Sequence, residues 1–289
     1  FNCFTFVKEI KNNNIMGIIK KTVDNDIKQQ AENTKKDAAE YGPSKYEQAF
    51  KKYDLNVDEK AVDEAVKKII AEKVPENDNV EVKKFLLGSV ELTSLHTTDT
   101  DESILAMTEK VNKFDNEYPA LPHVAAICVY PRFTELVAQS LEVDGVEITN
   151  VTGNFPSSQS RMEVKVAETQ LAIADGATNI DIVMPVGKFL SEDYEGVADD
   201  INDLKEVGGD VPMKVILETC DLGSLSNVKK AAILSMYAGA DYIKTSTGKE
   251  KAGATPEGVY VMCQAIKEYY DETGKQIDIK PAGDINTVM

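Results

Sequence analysis

Two lysines lie inside stretches whose other residues are typical of buried strands. Lys244 stands in the sequence DYIKTSTGK and Lys280 in IDIKPAG, each shortly before a glycine. A free lysine amine has a pKa of ~10.4 and is almost wholly protonated at neutral pH. Burial and a neighbouring positive charge both lower that pKa, and the neutral amine is a nucleophile. The pattern therefore indicates a lysine that forms a Schiff base with a carbonyl substrate.

Two further ionisable residues occupy strand-like stretches. Asp181, in NIDIVMP, could shuttle the proton that carbinolamine formation and collapse require. Lys214, in MKVILET, stands at the start of its stretch, and we expect it to form a structural ion pair. If Lys244 and Lys280 lie on adjacent strands, about 4.8 Å apart, each is predicted to depress the pKa of the other.

The residues after Lys244 suit a polar ligand. Thr247, Gly248 and Lys249 supply a hydroxyl, a glycine and a second cation at the end of a strand, as a polyhydroxylated or phosphorylated ligand requires. An ordinary βα turn would have similar residues. Cys128, in AAICVYP, could line the same cavity, although a lone cysteine in a strand is usually a small core residue.

Short apolar stretches alternate with amphipathic helical segments after residue 80. Seven stretches are predicted as strands: 90–95, 124–131, 146–153, 179–185, 213–219, 241–247 and 277–283. Helices predicted over 161–176, 194–206, 224–239 and 255–273 make the strands parallel. This order fits a (β/α)8 TIM barrel or a doubly wound sheet, and the lack of a GxGxxG or Walker sequence favours the barrel. Barrel chemistry lies at the carboxyl ends of the strands.

Three regions are predicted along the chain. Residues 1–16 are interpreted as a leader or disordered segment, residues 17–79 as a helical extension, and residues 80–289 as a barrel that is truncated after its seventh strand. In the extension, a helix is predicted from residue 58, with Val62, Val66, Ile69 and Ile70 on one face and Pro75 at its end. We expect the native chain to continue past residue 289.

Composition excludes several classes of function. The net charge of −17 over 289 residues disfavours binding to nucleic acid and to anionic membranes, and no apolar run approaches the ~20 residues of a membrane span. Four cysteines without a CxxC pair argue against disulfides and zinc, and favour the reducing cytoplasm. The two histidines, His96 and His123, exclude a multi-histidine metal centre, so neither a metal nor a cofactor is predicted.

Several segments together resemble one family. DYIKTSTGK at 241–249 is similar to the Schiff-base segment of the deoxyribose-phosphate aldolases, and five other segments agree in order: AAICVYPRF at 125–133, NFP at 154–156, NIDIV at 179–183, KVILET at 214–219 and KPAG at 280–283. The resemblance covers about residues 80–289. It implies a metal-free class I aldolase that reversibly cleaves 2-deoxy-D-ribose 5-phosphate to acetaldehyde and D-glyceraldehyde 3-phosphate.

The resemblance also implies roles for individual residues. Lys244 would form the imine, Lys280 would perturb the pKa of that amine, and Asp181 would take part in proton transfer. The substrate pocket would be lined by Thr93, Cys128, Thr247, Gly248, Lys249 and Gly283. A homodimer is common in the family.

Three positions depart from the family pattern. Cys220 stands in place of a common glycine after Glu218-Thr219. Glu91 stands where the family often has aspartate. Asp284 replaces the second of two glycines after Lys280-Pro-Ala, and its carboxylate is expected to repel a phosphate.

Two other functions remain open on the residues alone. One is a phosphosugar isomerase or synthase of the same fold that uses Asp181 and Glu218 as acid and base without an imine. The other is a non-catalytic binding or scaffold protein descended from the aldolase. Trapping of an imine by borohydride discriminates the aldolase from both.

Overall fold

The computed structural model describes residues 44–283 and Ile285. The chain is divided into two compact units, residues 1–48 and residues 49–289. Only residues 44–48 of the first unit are described. The predicted leader at 1–16, residues 17–43 of the predicted extension, and Asp284 all lie outside the described residues. The boundary predicted at residues 79 and 80 stays a prediction.

Among the described residues, three helices precede the sheet: α1 (Lys45–Phe50), α2 (Glu59–Asn77) and α3 (Val80–Leu87). Helix α2 begins after Asp58, whose side chain accepts hydrogen bonds from the first backbone N–H groups. The prediction that Pro75 ends this helix is wrong. A proline in the last turn removes one backbone donor and leaves the preceding turns intact, so the helix runs on to Asn77.

The apolar face predicted for α2 is buried over only half of its length. Val62 and Val66 are buried, whereas Ile69 and Ile70 are 43% and 49% exposed. Helix α2 contacts α10 (Pro256–Thr273), the last helix among the described residues. Sequence periodicity identifies a face that can be buried, and only the folded chain shows how much of it is covered.

Seven strands form one parallel sheet in chain order, as predicted. They are β1 (Glu91–Thr93), β2 (Ala126–Val129), β3 (Glu147–Thr152), β4 (Asn179–Val183), β5 (Met213–Ile216), β6 (Tyr242–Lys244) and β7 (Asp278–Lys280). Each is shorter than its predicted stretch, because the residues at the carboxyl ends leave the hydrogen-bonded ladder to form the loops of the site. No eighth strand occurs among the described residues.

Helices connect successive strands. They are α4 (Asp101–Glu117), α5 (Thr134–Ser140), α6 (Met162–Ala174), α7 (Val186–Leu190), α8 (Tyr194–Gly208), α9 (Leu225–Tyr237) and α10. Sequence signals fix several starts: Thr100 and Ser103 form a capping box on α4, and Thr255 caps α10 just before Pro256. This order is that of a (β/α)8 TIM barrel.

Alternate residues of each strand face opposite sides of the sheet. Ile127, Val129 and Ile148 pack outward in a cluster with Val111 and Val137 of the surrounding helices. The side chains between them face inward, where Lys280 of β7 contacts the carboxylate of Glu91 in β1. The sheet therefore curls until its two outermost strands approach each other. Over the described part of the chain, none of the helices combines the length and apolarity that a bilayer crossing demands.

Candidate active site

The structure brings Lys244, Lys280 and Asp181 together inside the curled sheet. Lys244 and Lys280 are directly paired in the β6–β7 register, as strand order predicted. The Nζ atom of Lys244 lies 2.7 Å from Oδ2 of Asp181, and the Nζ atom of Lys280 lies 3.5 Å from the same oxygen. Asp181 is fully buried and Lys244 is 3% exposed. One carboxylate oxygen thus links two lysine amines away from bulk water.

Lys214 and Glu91 complete the charged cluster. The Nζ atom of Lys214 is 3.2 Å from Oδ1 of Asp181 and 3.5 Å from Oε1 of Glu91, and the Thr149 hydroxyl donates to that same Oε1 at 2.6 Å. Lys214 is therefore ion-paired as expected, but its partner is the carboxylate that also holds Lys244. Lys214 thus belongs to the network of the site and is not a separate structural pair.

The pKa shifts in the cluster differ from the mutual depression expected for the two lysines. Burial favours the neutral amine of Lys244, but the attraction of Asp181 outweighs it and raises the pKa of Lys244. Burial works against the charge of Asp181, yet Lys244 and Lys214 hold the pKa of this carboxyl below its usual range. Burial lowers the pKa of Lys280 to about 7, and its contact with Glu91 opposes that lowering.

The directions of these pKa shifts determine the net charge of the cluster. When Lys280 is neutral, two carboxylates face two ammonium groups, on Lys214 and Lys244, and the cluster carries no net charge. A third ammonium would leave an uncompensated positive charge in a desolvated site. The arrangement therefore favours the neutral form of the Lys280 amine.

Cys128 and Thr93 lie beside each other in the β1–β2 register. Cys128 is fully buried, and burial raises the pKa of its thiol to about 12, so it is not a thiolate nucleophile at neutral pH. Thr93 is exposed, and its hydroxyl donates to the backbone oxygen of Glu91. Neither histidine belongs to the site: His96 is an exposed loop residue, and the His123 ring contacts the neighbouring Val124 oxygen.

The loops after β6 and β7 meet at glycines. Gly248 and Gly283 both have positive φ, at +73° and +85°, which only glycine adopts without strain. Gly253 packs backbone to backbone on Gly283. A side chain at Gly253 would not fit, since its Cβ would lie 2.3 Å from the Gly283 oxygen. The exposed Lys249 follows Gly248, and its ammonium contacts the backbone oxygen of Leu95.

Sequence reasoning missed part of this site. Lys214 was expected only as a structural ion pair and Glu91 only as a departure from the family pattern, although each is a charged residue in an apolar strand and could have been assigned to the site. Gly253 carried none, because only the folded loop shows which glycine the β7 loop packs against.

One group of side chains among the described residues has the spacing of a metal site. Glu91, Cys128 and Asp181 present ligand atoms within 4.8 Å of one another. Both carboxylates already contact lysine ammonium groups, so a cation there would have to displace at least one of them. The donor set therefore favours an ammonium over a metal ion.

Comparison with known proteins assigns the family. The family model described as DeoC/LacD family aldolase matches residues 88–286. The chain belongs to this aldolase family.

Three related proteins in the aldolase family show how far the similarity reaches. A Caenorhabditis elegans protein provisionally named deoxyribose-phosphate aldolase is 39% identical over 80% of this chain and 76% of its own length. The human deoxyribose-phosphate aldolase is 35% identical over 68% of this chain and 65% of its own length. The structure of the tetrameric deoxyribose phosphate aldolase from Aeropyrum pernix superposes with a TM-score of 0.59 and 26% identity, over 73% of this chain and 82% of that one.

Proposed function

We propose that this protein is a deoxyribose-phosphate aldolase that cleaves 2-deoxy-D-ribose 5-phosphate to acetaldehyde and D-glyceraldehyde 3-phosphate through an imine on Lys244. The observation that carries the proposal is the shared Asp181 oxygen, which lies within 3.5 Å of both the Lys244 and the Lys280 amines. Covalent catalysis by lysine needs a buried amine and a neighbouring proton acceptor, and this oxygen connects the two. The names of the relatives support the choice of substrate.

Imine formation begins with a proton transfer inside the cluster. The Lys244 ammonium passes its proton by way of Asp181 to the neutral amine of Lys280, so one positive charge moves from strand β6 to β7. The free Lys244 amine attacks the aldehyde carbon C1 of the open-chain sugar and forms a carbinolamine. The carbinolamine oxygen takes up a proton and leaves as water, which yields the iminium ion.

The iminium ion then acts as an electron sink. Asp181 accepts the proton of the C3 hydroxyl as the C2–C3 bond breaks, and the electron pair enters the enamine between C1 and C2. D-Glyceraldehyde 3-phosphate leaves with the carbonyl at the former C3. Protonation of C2 and hydrolysis of the imine release acetaldehyde and regenerate Lys244.

The phosphate is proposed to bind at the glycine loops. Lys249 supplies a cation beside Gly248. A Cβ on Gly248 would meet only the Gly283 Cα, at 3.8 Å, so the backbone at Gly248 is open to close approach by a ligand, whereas Gly283 is packed against Gly253. The substrate pocket is also proposed to be lined by Thr93, Cys128 and Thr247. Asp284, expected to weaken phosphate binding, lies outside the described residues.

An assay of sugar cleavage with a matched variant tests the proposal. Lys244→Met should abolish release of both aldehydes from 2-deoxy-D-ribose 5-phosphate. Lys165 is the matched control, because it is also buried and lies 2.7 Å from an aspartate, Asp200, outside the charged cluster. Lys165→Met should lower stability and leave activity per folded molecule unchanged. Full activity of Lys244→Met would overturn the imine mechanism, and lack of cleavage by the parent protein would favour the isomerase or the non-catalytic alternative.

Two properties of the whole protein follow as further proposals. A cytoplasmic location is supported by the four scattered cysteines, which form no CxxC pair. A homodimer is supported by its frequency among the aldolases that the sequence resembles, although the Aeropyrum pernix structure is described as tetrameric. Light scattering on the purified protein measures the number of subunits.

A further inference from the structure

Glu218 is a buried carboxylate directly after strand β5. The residue is 3% exposed, and its backbone is left-handed with φ +53°, a conformation that costs energy in a residue other than glycine. Among the described residues, no lysine or arginine forms an ion pair with it, and burial raises its pKa. A strained, desolvated carboxylate without an ion-pair partner costs stability, and its charge also helps to raise the pKa of Lys244. Such a cost is common where the group has a function.

Glu218 makes its hydrogen bonds with Thr247, at the end of β6. Its two carboxylate oxygens lie 3.2 Å and 3.3 Å from the Thr247 backbone nitrogen, which donates to them. The Thr247 hydroxyl donates to Oε2 of Glu218 at 2.5 Å. This residue follows Lys244 by three positions, so the contact joins Glu218 to the segment that carries the proposed nucleophile.

The donor and acceptor roles of the Thr247 hydroxyl are therefore fixed. Its single proton is committed to Glu218, and one of its two lone pairs accepts from the backbone nitrogen of Lys249 at 3.1 Å. One lone pair remains, so towards a ligand this hydroxyl can only accept. It matches a ligand group that donates, such as a sugar hydroxyl.

We infer that Glu218 is a positioning residue that holds Thr247 as the hydrogen-bond acceptor for a hydroxyl of the substrate. The inference rests on the proposed function and adds a specificity device to it. Acetaldehyde has no hydroxyl, so imine formation with acetaldehyde does not need this contact. Binding of 2-deoxy-D-ribose 5-phosphate, which has hydroxyl groups, does need the contact with Thr247.

The variant Glu218→Gln tests the inference, because glutamine keeps the size of the side chain. Its amide nitrogen can donate to the Thr247 hydroxyl, take the free lone pair and turn the hydroxyl proton outward. KM for 2-deoxy-D-ribose 5-phosphate should rise about 10-fold, as expected for one lost hydrogen bond. The yield of borohydride-trapped imine with acetaldehyde should not change. Glu218→Asp, which retains the carboxylate, should recover part of the lost affinity.

Glu192 is the matched control. It is the other described glutamate with a left-handed backbone, at φ +64°, and it is exposed. Glu192→Gln should leave KM and trapping unchanged.

A second pair of variants keeps the inference testable if Glu218→Gln folds poorly. Thr247→Val removes the hydroxyl and should raise KM to a similar extent, and Glu218→Gln combined with Thr247→Val should be no worse than Thr247→Val alone. If the increases in KM of the two single variants added fully in the double variant, the inference would be overturned. So would an unchanged KM in Glu218→Gln, or an equal loss of acetaldehyde trapping, which would assign Glu218 to the chemistry itself. Absence of trapping in the parent would instead reject the proposed function.

Discussion

Ile180 and Asp181 are neighbours in strand β4 and face opposite sides of the sheet. Ile180 points outward and touches Gly208 of helix α8, whereas Asp181 points inward and meets three lysine amines. Both are fully buried. The outer face of the sheet is an apolar layer between strands and helices, and the inner face is a cluster of ion pairs.

The two faces contribute to stability in different ways. Burial of the outer side chains stabilises the fold by about 25 cal/mol per Å² of apolar surface removed from water. The inner ion pairs recover in mutual attraction roughly what desolvation costs, so their net contribution is small. Burial of the outer face therefore accounts for the stability of the sheet. The ion pairs of the inner face add little stability, and we attribute them to the proposed catalysis. Substitutions on the two faces should separate stability from activity.

The largest effect is expected for Asp181→Asn. Loss of the carboxylate that links the two amines should reduce the cleavage rate by about 10²–10⁴-fold, the usual range for a lost acid–base group. Without Asp181, burial dominates and the pKa of Lys244 falls, so the midpoint of imine trapping with acetaldehyde should move to lower pH. Rate measurements and trapping across pH check both effects.

Asp200 offers the control for this variant. It also accepts from two lysines, Lys165 at 2.7 Å and Lys188 at 2.8 Å, outside the charged cluster. Asp200→Asn should leave the rate and the trapping midpoint unchanged. A shift of the midpoint in Asp200→Asn would show that the effect is not specific to the inner face.

Ile180→Ala should give the opposite pattern. Removal of a fully buried side chain from the outer face should lower the free energy of unfolding by about 2–5 kcal/mol. The side chain does not touch the charged cluster, so activity per folded molecule should be retained. Denaturant unfolding and a rate normalised to folded protein measure the two quantities. A large loss of activity in the folded fraction would contradict the separation of the faces.

The smallest effect is expected for Lys280→Met. The folded pKa of Lys280 is lowered to about 7, below the unfolded value of ~10.4. Burial of its charge therefore destabilises the fold in full below pH 7, and the penalty shrinks as pH rises from 7 towards 10.4. The variant should be at least as stable as the parent near pH 7, and that advantage should decrease at higher pH.

The same variant changes the pH profile of activity. The parent should show an inflection near pH 7 that reports Lys280, and Lys280→Met should lose it. Rates across pH 5.5 to 9 test this expectation, and they should be about 10²-fold lower overall, the lower end of the range for a lost proton acceptor. An inflection that persists unchanged in Lys280→Met would assign the titration to another group.

Much of the fold follows from local patterns in the sequence. Alternation of apolar residues located all seven strands, and the crossover helices made them parallel, which placed Lys244 and Lys280 side by side. The ends of elements were less predictable. Pro75 lies inside helix α2, in its last turn, where a missing backbone donor leaves the preceding turns intact.

The electrostatics of the site could not be predicted from the sequence. Two adjacent lysines suggested that each would lower the pKa of the other. The pKa of Lys244 is raised instead, because its amine lies 2.7 Å from Asp181. The bond between Glu218 and Thr247 depends on a left-handed turn that a sequence with glutamate at this position does not favour. Contacts of this kind depend on atomic distances, which residue types alone do not give.

The most direct test of the account is the position of the covalent adduct. The protein is treated with acetaldehyde and borohydride, digested, and analysed by mass spectrometry. The account predicts one ethyl group on the peptide that contains Lys244, none on peptides that contain Lys214 or Lys280, and no adduct in Lys244→Met. An adduct on Lys280 or Lys214 in the parent, or none at all, would contradict it.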